Sequence, residues 1–354
     1  MVQNKQIFLY DASGINGGKS DKCNVFICLL LYIKKFIYIC VGLNVHTYIV
    51  FCLKMNVIMK ENYVIGVDVG GSHVCSAVVD IEDGSICSEP VTTPVDSSVG
   101  AEAVVTAWAE NIRLSMSGFG EKVSRVGFAF PGPFDYIRGI SLISGVGKYE
   151  SVYGLDVAET MRSVLFSEAG DVQMRFVNDA SAFALGEALY GAAAYSSKVL
   201  ALTLGTGVGS GFVADGKLVT SGEGVPDNGW VYCLPFEDGI ADEAFSTRWI
   251  VKRYLELTGQ QVEGAREVAE RYDTDESARV LFREYGERLA AFAGPVLSKF
   301  GGRALVIGGN ISRAYHLFAE PLDEGLRAIV PGAEVRVSGL LDKSAMIGAA
   351  SLFV

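Results

Sequence analysis

The chain has 354 residues, half of them hydrophobic and a fifth charged, with a formal net charge of −11. That length suits two domains better than one, and the hydrophobic share promises packed cores. The acidic balance argues against a nucleic-acid partner, whose phosphates need a basic stripe, yet leaves room for a small anion held by backbone N–H groups.

Residues 1–58 differ from the remainder. They carry six Lys against two Asp and no Glu or Arg, a charge of +4, which leaves −15 for residues 59–354. From Asn24 to Leu53 the run is apolar but broken by Lys34-Lys35, and each half falls short of the roughly 20 residues of a membrane span. No small-residue cleavage site follows a compact apolar core. A membrane anchor, an export signal and an artefactual extension compete here. The last is the expectation, with the working protein starting at Met55 or Met59. Four of the seven cysteines (Cys23, Cys28, Cys40, Cys52) fall in this segment. Cys75, Cys87 and Cys233 form no C-x-x-C pair, so neither structural zinc nor a disulfide framework is expected. With His46, His73 and His316 the only histidines, a His-based triad has few candidates. The body reads as cytoplasmic.

Tyr63 to Asp80 reads as strand, glycine turn (Gly70, Gly71, Ser72), strand, because β-branched residues flank the turn on both sides. A dinucleotide fold would have its glycines open a helix, so that reading is set aside. Val123 to Phe130 reads as a buried strand ending in the rigid turn Pro131-Gly-Pro-Phe-Asp135. Arg175-Phe-Val-Asn178-Asp179-Ala-Ser181-Ala182 brings an apolar strand to an Asn-Asp pair, after which Phe183, Leu185, Ala188 and Leu189 keep helical spacing. Asp179 or Ser181 there can be a plain helix cap, its oxygen accepting orphan backbone N–H groups.

The strand–turn–strand pattern returns at Val199 to Gly216. A shift of 135 positions puts Val64 on Val199, Asp68 on Thr203, Gly70 on Gly205 and Asp80 on Asp215. Such an internal duplication predicts two lobes of like topology. Glycine turns can be purely structural. Two matched copies with a carboxylate or hydroxyl beside each favour a pair of phosphate-facing loops. Glu237 to Ala293 is charged and helical in period, with Trp249, Tyr254 and Leu255 expected on one side. Ala304 to Ser312 is a strand with a glycine turn opening a helix, and Ser344 to Phe353 is a small-residue helix that must pack closely.

Six pieces in order resemble the ROK family (repressors, open reading frames and kinases), within the actin-like sugar-kinase fold. They are Asp68-Val-Gly-Gly-Ser72, Pro131-Gly-Pro-Phe-Asp135, Asn178-Asp-Ala180, Leu204-Gly-Thr-Gly-Val-Gly209, Ile307-Gly-Gly-Asn-Ile-Ser312 and Ile347-Gly-Ala-Ala350. The fold class expected is α/β, a two-lobed actin-like ATPase (ribonuclease H-like) fold with an internal duplication. Its expected parts are an extension over 1–58, an N-terminal lobe over 59–175, a C-terminal lobe over 176–335, and a C-terminal helix over 336–354 packing back on the N-terminal lobe.

The resemblance implies ATP between the lobes, with Gly70, Gly71, Ser72, Gly205, Thr206 and Gly207 around its phosphates and Gly308 and Gly309 by the adenosine. Asp68 would help hold Mg²⁺. Asn178 and Asp179 would bind a sugar, with Asp179 taking the proton of the attacking hydroxyl. Gly132, Asn228 and Glu243 complete the expected sugar-side set, although Glu243 also reads as a solvated helix charge. The family's Glu-x-Gly-His segment and cysteine-rich zinc site have no match in Gly224-Val-Pro-Asp-Asn228-Gly-Trp230-Val-Tyr-Cys233. Its Asn-Leu-x-x-Trp is replaced by Ser144-Gly-Val-Gly-Lys148-Tyr149.

The expected function is ATP-dependent phosphorylation of a hexose, hexosamine or N-acetylhexosamine. The alternatives are a sugar-sensing regulator without turnover and a carboxylate-activating ATPase of the same fold. The implied partner is a small-molecule sugar, with no nucleic acid and no membrane for residues 59–354. A homodimer is left open.

Overall fold

The structure, a computed structural model, describes residues 62–117, 119–120, 123–165 and 172–354. The expectations for residues 1–58 lie outside them. Strands β1 (Tyr63–Val69), β2 (His73–Asp80), β3 (Val91–Pro94), β4 (Arg125–Phe130) and β7 (Gln173–Asn178) form the first sheet, in the order β3-β2-β1-β4-β7. A small ribbon of β5 (Phe134–Asp135) and β6 (Ile140–Ser141) follows the Pro-Gly-Pro turn. The second sheet joins β8 (Lys198–Leu204), β9 (Val208–Ala214), β10 (Lys217–Leu218), β13 (Ala304–Gly308) and β14 (Glu334–Val337), in the order β10-β9-β8-β13-β14. Each sheet has one antiparallel half and one parallel half, laid out alike.

The duplication seen in the sequence is thus a duplication of topology. Tyr63–Val69 and Lys198–Leu204 correspond under the shift of 135. The pairing does not follow it throughout. Val69 pairs with Val74, whereas Leu204 pairs with Val208, so the second hairpin turn is one residue tighter.

Helices α1 (Ala101–Ser117) and α2 (Val157–Leu165) belong to the first half, and α3 (Asp179–Leu189) leaves the end of β7. The stretch from Glu237 does not begin as a helix. A ribbon of β11 (Pro235–Phe236) and β12 (Gly239–Ile240) precedes α4 (Ala241–Phe245), α5 (Thr247–Thr258), α6 (Ala265–Glu270) and α7 (Glu276–Phe300). The long α7 has Asp275 as its cap, accepting the Ser277 N–H at 2.8 Å, and ends on Gly301 in the left-handed region, φ 74°. In α5 the buried residues are Ile250 and Tyr254, four apart, while Leu255 is exposed. Trp249, Tyr254 and Leu255 therefore do not share a face, because a helix stacks i on i+4 and not on i+5 or i+6. Helix α8 (Ala319–Ile329) and the short α9 (Ser344–Ala350) close the chain.

Two apolar cores fill the halves. One gathers Trp108, Phe128, Phe130 and Tyr149, the other Phe245, Phe282, Tyr285 and Phe318. Between the sheets lie α3 and α9, and glycines set how close they come. A Cβ on Gly66 or Gly127 of the first sheet would fall 2.2 Å from Met346 O or 2.0 Å from Ala349 O of α9. One on Gly348 would fall 1.8 Å from Ala182 O of α3. On the other side, a Cβ on Gly211 of β9 would come 2.5 Å from Ala184 Cβ. Small residues let these backbones meet, and α3 is buried all round from Ala180 to Ala188. Its N-terminus is thereby held at the junction of the two sheets. Among the described residues no helix is long and apolar enough to cross a membrane.

Candidate active site

The junction is built from the ends of β1, β7 and β8. At the end of β7, Asn178 is the N-cap of α3, its Oδ1 accepting the N–H groups of Ala180 (3.1 Å) and Ser181 (3.3 Å). Its Nδ2 donates to Tyr136 Oη at 3.3 Å, and that hydroxyl donates to Phe130 O at 3.1 Å. Much of the Asn178 amide is therefore committed to shaping the site. Gly132 lies beside the same hydroxyl, 3.3 Å from it at its would-be Cβ. Because Asn178 does the capping, the next carboxylate is not needed for it. Asp179 accepts the Ala180 N–H at 2.9 Å and sets its carboxylate beside the Asn178 side chain, at the floor of this junction.

Asp68, near the end of β1, is half-buried. Removal from water first, and then the negative charges of Asp179 and Asp342, push its carboxyl up to about 7. Burial likewise raises Asp179, opposed by the Ala180 N–H and by the Lys148 ammonium. Two further carboxylates thus bear on Asp68, while the Lys148 ammonium bears on Asp179 and Arg313 pairs with Asp342 at 3.7 Å. These hard oxygen donors suit a divalent cation. Among the described residues no group of three His, Cys, Asp or Glu could hold a metal alone. Cys75, Cys87 and Cys233 are free thiols.

The two glycine turns flank this floor. In the first, Gly70 donates to His73 O at 2.9 Å and accepts from Tyr149 Oη at 2.6 Å, while Ser72 is exposed. In the second, Gly205 O accepts from the backbone N–H and hydroxyl of Thr247, at 2.8 and 3.0 Å. Arg248 Nη1 donates to Thr206 O at 2.7 Å, and Asp242 Oδ1 accepts the Val208 N–H at 2.8 Å beside Gly207. The start of α5 and Asp242 therefore brace the turn from behind. Asp242, Arg248 and Lys148 were not singled out from sequence, since each is a lone charge in a polar stretch. The neighbouring Glu243 folds back toward its own Ile240 N–H at 3.4 Å, and no described interaction links it to Asp179.

Gly308 and Gly309 have packing reasons of their own. A Cβ on Gly308 would fall 2.4 Å from Phe183 Cζ, and Gly309, φ 78°, would meet Leu204 O at 2.4 Å. Asn228 is exposed, in the left-handed region at φ 59°, in a turn tied to β9 where Ser210 Oγ donates to Gly229 O at 2.6 Å. Of the expected residues, Asp68 and Asp179 lie within electrostatic reach, Asn178 caps the helix that Asp179 opens, Gly132 meets Tyr136, and Gly71 lies against Lys148. The structure gives Glu243 and Asn228 no direct contact with Asp179.

The model of the ROK family matches residues 64–354. The chain belongs to the ROK family. It is 30% identical over 318 residues to a glucokinase of Thermotoga maritima, covering 82% of this chain and 96% of that one. It is 27% identical over 314 residues to an N-acetyl-D-glucosamine kinase of Haemophilus influenzae, covering 82% and 98%. A solved ROK glucokinase from Streptomyces griseus, in complex with glucose and AMPPNP, superposes with a TM-score of 0.62 at 25% identity, covering 82% of this chain and 98% of that one. This ROK protein has the actin-like ATPase fold of those sugar kinases.

Proposed function

We propose that this ROK protein is an ATP-dependent carbohydrate kinase acting on a hexose, hexosamine or N-acetylhexosamine. The observation that carries the reading is Asp179. It is a carboxylate relieved of capping by Asn178 and set in the cleft within electrostatic reach of Asp68 and Lys148. The ROK relatives named as glucokinase and N-acetyl-D-glucosamine kinase support the substrate class.

In this reading Asp179 accepts the proton of the sugar hydroxyl as its oxygen attacks the terminal phosphorus. The new O–P bond forms as the bond from that phosphorus to the bridging oxygen breaks, and ADP leaves. An ionised carboxylate suits the task because it only accepts, and a pKa moved up by burial brings it closer to working pH. Asn178 and Tyr136 hold the helix start in place, and the turns at Gly71–Ser72 and Thr206–Gly207 would offer backbone N–H groups to phosphates. Asp68 would hold Mg²⁺, directly or through water. The ion, when bound, neutralises phosphate charge.

The test is ATP consumption against a panel of hexoses, hexosamines and N-acetylated hexosamines. Sugar-dependent ADP release on at least one supports the reading. Sugar binding without release on any of them would return the sensing alternative.

A further inference from the structure

The stretch standing where the family's Asn-Leu-x-x-Trp would be is a built object. After β6 the chain turns through Gly145 and Gly147, both at φ 73°, into the short turn Glu150–Val152. The N–H groups of Gly145, Val146 and Gly147 converge on the Glu150 carboxylate at 3.0, 2.9 and 2.9 Å. Those bonds, Gly145's first, hold its pKa below the usual range. Tyr149 is fully buried against Trp108, donates its hydroxyl to Gly70 O, and has its own N–H on Ser97 O at 2.9 Å.

Lys148 is thus fixed on both sides, and its stem is laid along the first glycine turn. A Cβ on Gly71 would lie 3.2 Å from Lys148 Cδ and 3.4 Å from Nζ. The ammonium is also within electrostatic reach of Asp179, without forming an ion pair with it. Among the described residues it has no hydrogen-bond or salt-bridge partner. Lys148 is a half-buried residue whose ammonium stands between a phosphate-type turn and a candidate base, where the oxygens of an anionic ligand would give it charge-assisted partners. A lysine laid down only to cover apolar surface would carry its head out to water, away from such a turn.

We propose that Lys148 is a catalytic residue that binds the terminal phosphoryl oxygens of the nucleotide and neutralises the charge they carry in transfer. This rests on the kinase reading and adds to it a side-chain cation beside the first glycine turn. Lys148 exchanges no proton. The hydroxyl proton goes to Asp179, the phosphoryl group to the sugar oxygen, and Lys148 follows the charge. The loop that departs from the family pattern is then the device that delivers this cation.

The test compares binding of AMPPNP and of ADP, each with Mg²⁺, to the full chain and to Lys148→Met and Lys148→Arg. Lys148→Met keeps the stem and removes no hydrogen bond, so its thermal midpoint should match the native one. Removing a charged donor to the terminal phosphate should weaken AMPPNP by about 10-fold or more and ADP by less than about threefold. Arg should restore most of the loss. On whichever sugar the native protein phosphorylates, kcat for the Met variant should fall by about 10²-fold or more, with the sugar's KM little changed. Unchanged AMPPNP affinity, or equal losses for AMPPNP and ADP, would overturn the assignment. So would a raised sugar KM at native kcat, which would put Lys148 on the acceptor. If the native protein phosphorylates no sugar, the kinase reading falls while the nucleotide pair still decides on Lys148. If the native protein binds neither nucleotide, both fall.

Discussion

Glu187, in the middle of α3, accepts a 2.6 Å hydrogen bond from the hydroxyl of Ser344 at the start of α9. The same buried carboxylate takes Ser338 Oγ at 2.6 Å and the N–H groups of Ala192, Gly339 and Leu340 at 2.8 to 3.0 Å. It thereby ties the two helices between the sheets to each other and to the loop after β14.

Replacing Glu187 by Gln should be strongly destabilising. It turns one acceptor oxygen into a donor facing donors, each left unsatisfied at about 1–3 kcal/mol. A lowered thermal midpoint in calorimetry is the expected result. Burial alone would raise the carboxyl, but its hydrogen bonds outweigh that and hold it below the ordinary range. The folded value is thus below the unfolded one, about 4.3. Its contribution is complete above that pH and is lost as pH falls through the folded value. Thermal midpoints measured from about pH 6 down to about pH 3 should therefore fall less steeply for Glu187→Gln than for the native protein. Parallel curves would show that another group carries the acid sensitivity.

How much of this was legible in sequence depended on whether the feature is local. The hairpins showed because alternation and a glycine turn lie within one stretch, and their repeat could be found by sliding the chain on itself. The one-residue difference in register did not show, because it depends on how Leu204 meets Val208 across the turn. Glu187 reads as one acid in a helix, since its partners lie some 150 positions later. Lys148 has no legible role in the sequence for a related reason. The stretch had neither period nor family pattern, and only the fold brings it to Gly71. The glycines looked equivalent in sequence, and the space around each now separates them.

Gly348→Ala tests that separation at a packing glycine. Its Cβ would overlap Ala182 O at 1.8 Å, a backbone atom that no rotamer change can move. Forcing α9 off α3 should cost at least about 1–3 kcal/mol. Gly100→Ala, with nothing within 4 Å, is the control and should stay within about 0.5 kcal/mol. Denaturant midpoints at constant slope decide between them.

Gly205→Ala should behave in the opposite way. Nothing lies within 4 Å of its would-be Cβ, and it is not among the glycines at positive φ. Neither packing nor backbone conformation therefore demands glycine there. If phosphates approach this turn, the added methyl should weaken AMPPNP binding by about 10-fold or more while stability changes by less than about 1 kcal/mol. Gly308→Ala, crowded by Phe183, should lose stability first. Native nucleotide affinity in a stable Gly205→Ala protein would remove the turn from the site.

Asp179→Asn separates the two roles weighed for the acid after Asn178. Asn178 already accepts the Ala180 and Ser181 N–H groups, and an Asn at 179 keeps an oxygen for the Ala180 N–H. Fold and thermal midpoint should therefore be nearly native, as should binding of the nucleotide. What the variant lacks is a carboxylate that can take a proton. Turnover on the sugar identified by the panel should fall on the order of 10²- to 10⁴-fold, with sugar KM moving far less than kcat. Asp179→Ala is the poorer test, since it also removes the second side-chain oxygen on the Ala180 N–H and changes the shape of the side chain. Loss of the Asp179 charge also removes a repulsion on Asp68, so the carboxyl of Asp68 should fall in the variant. A titration of that group by NMR reads this without any activity at all. A variant that keeps more than about a tenth of native turnover would leave Asp179 as a helix-terminal acid and move the search for the base elsewhere in the cleft.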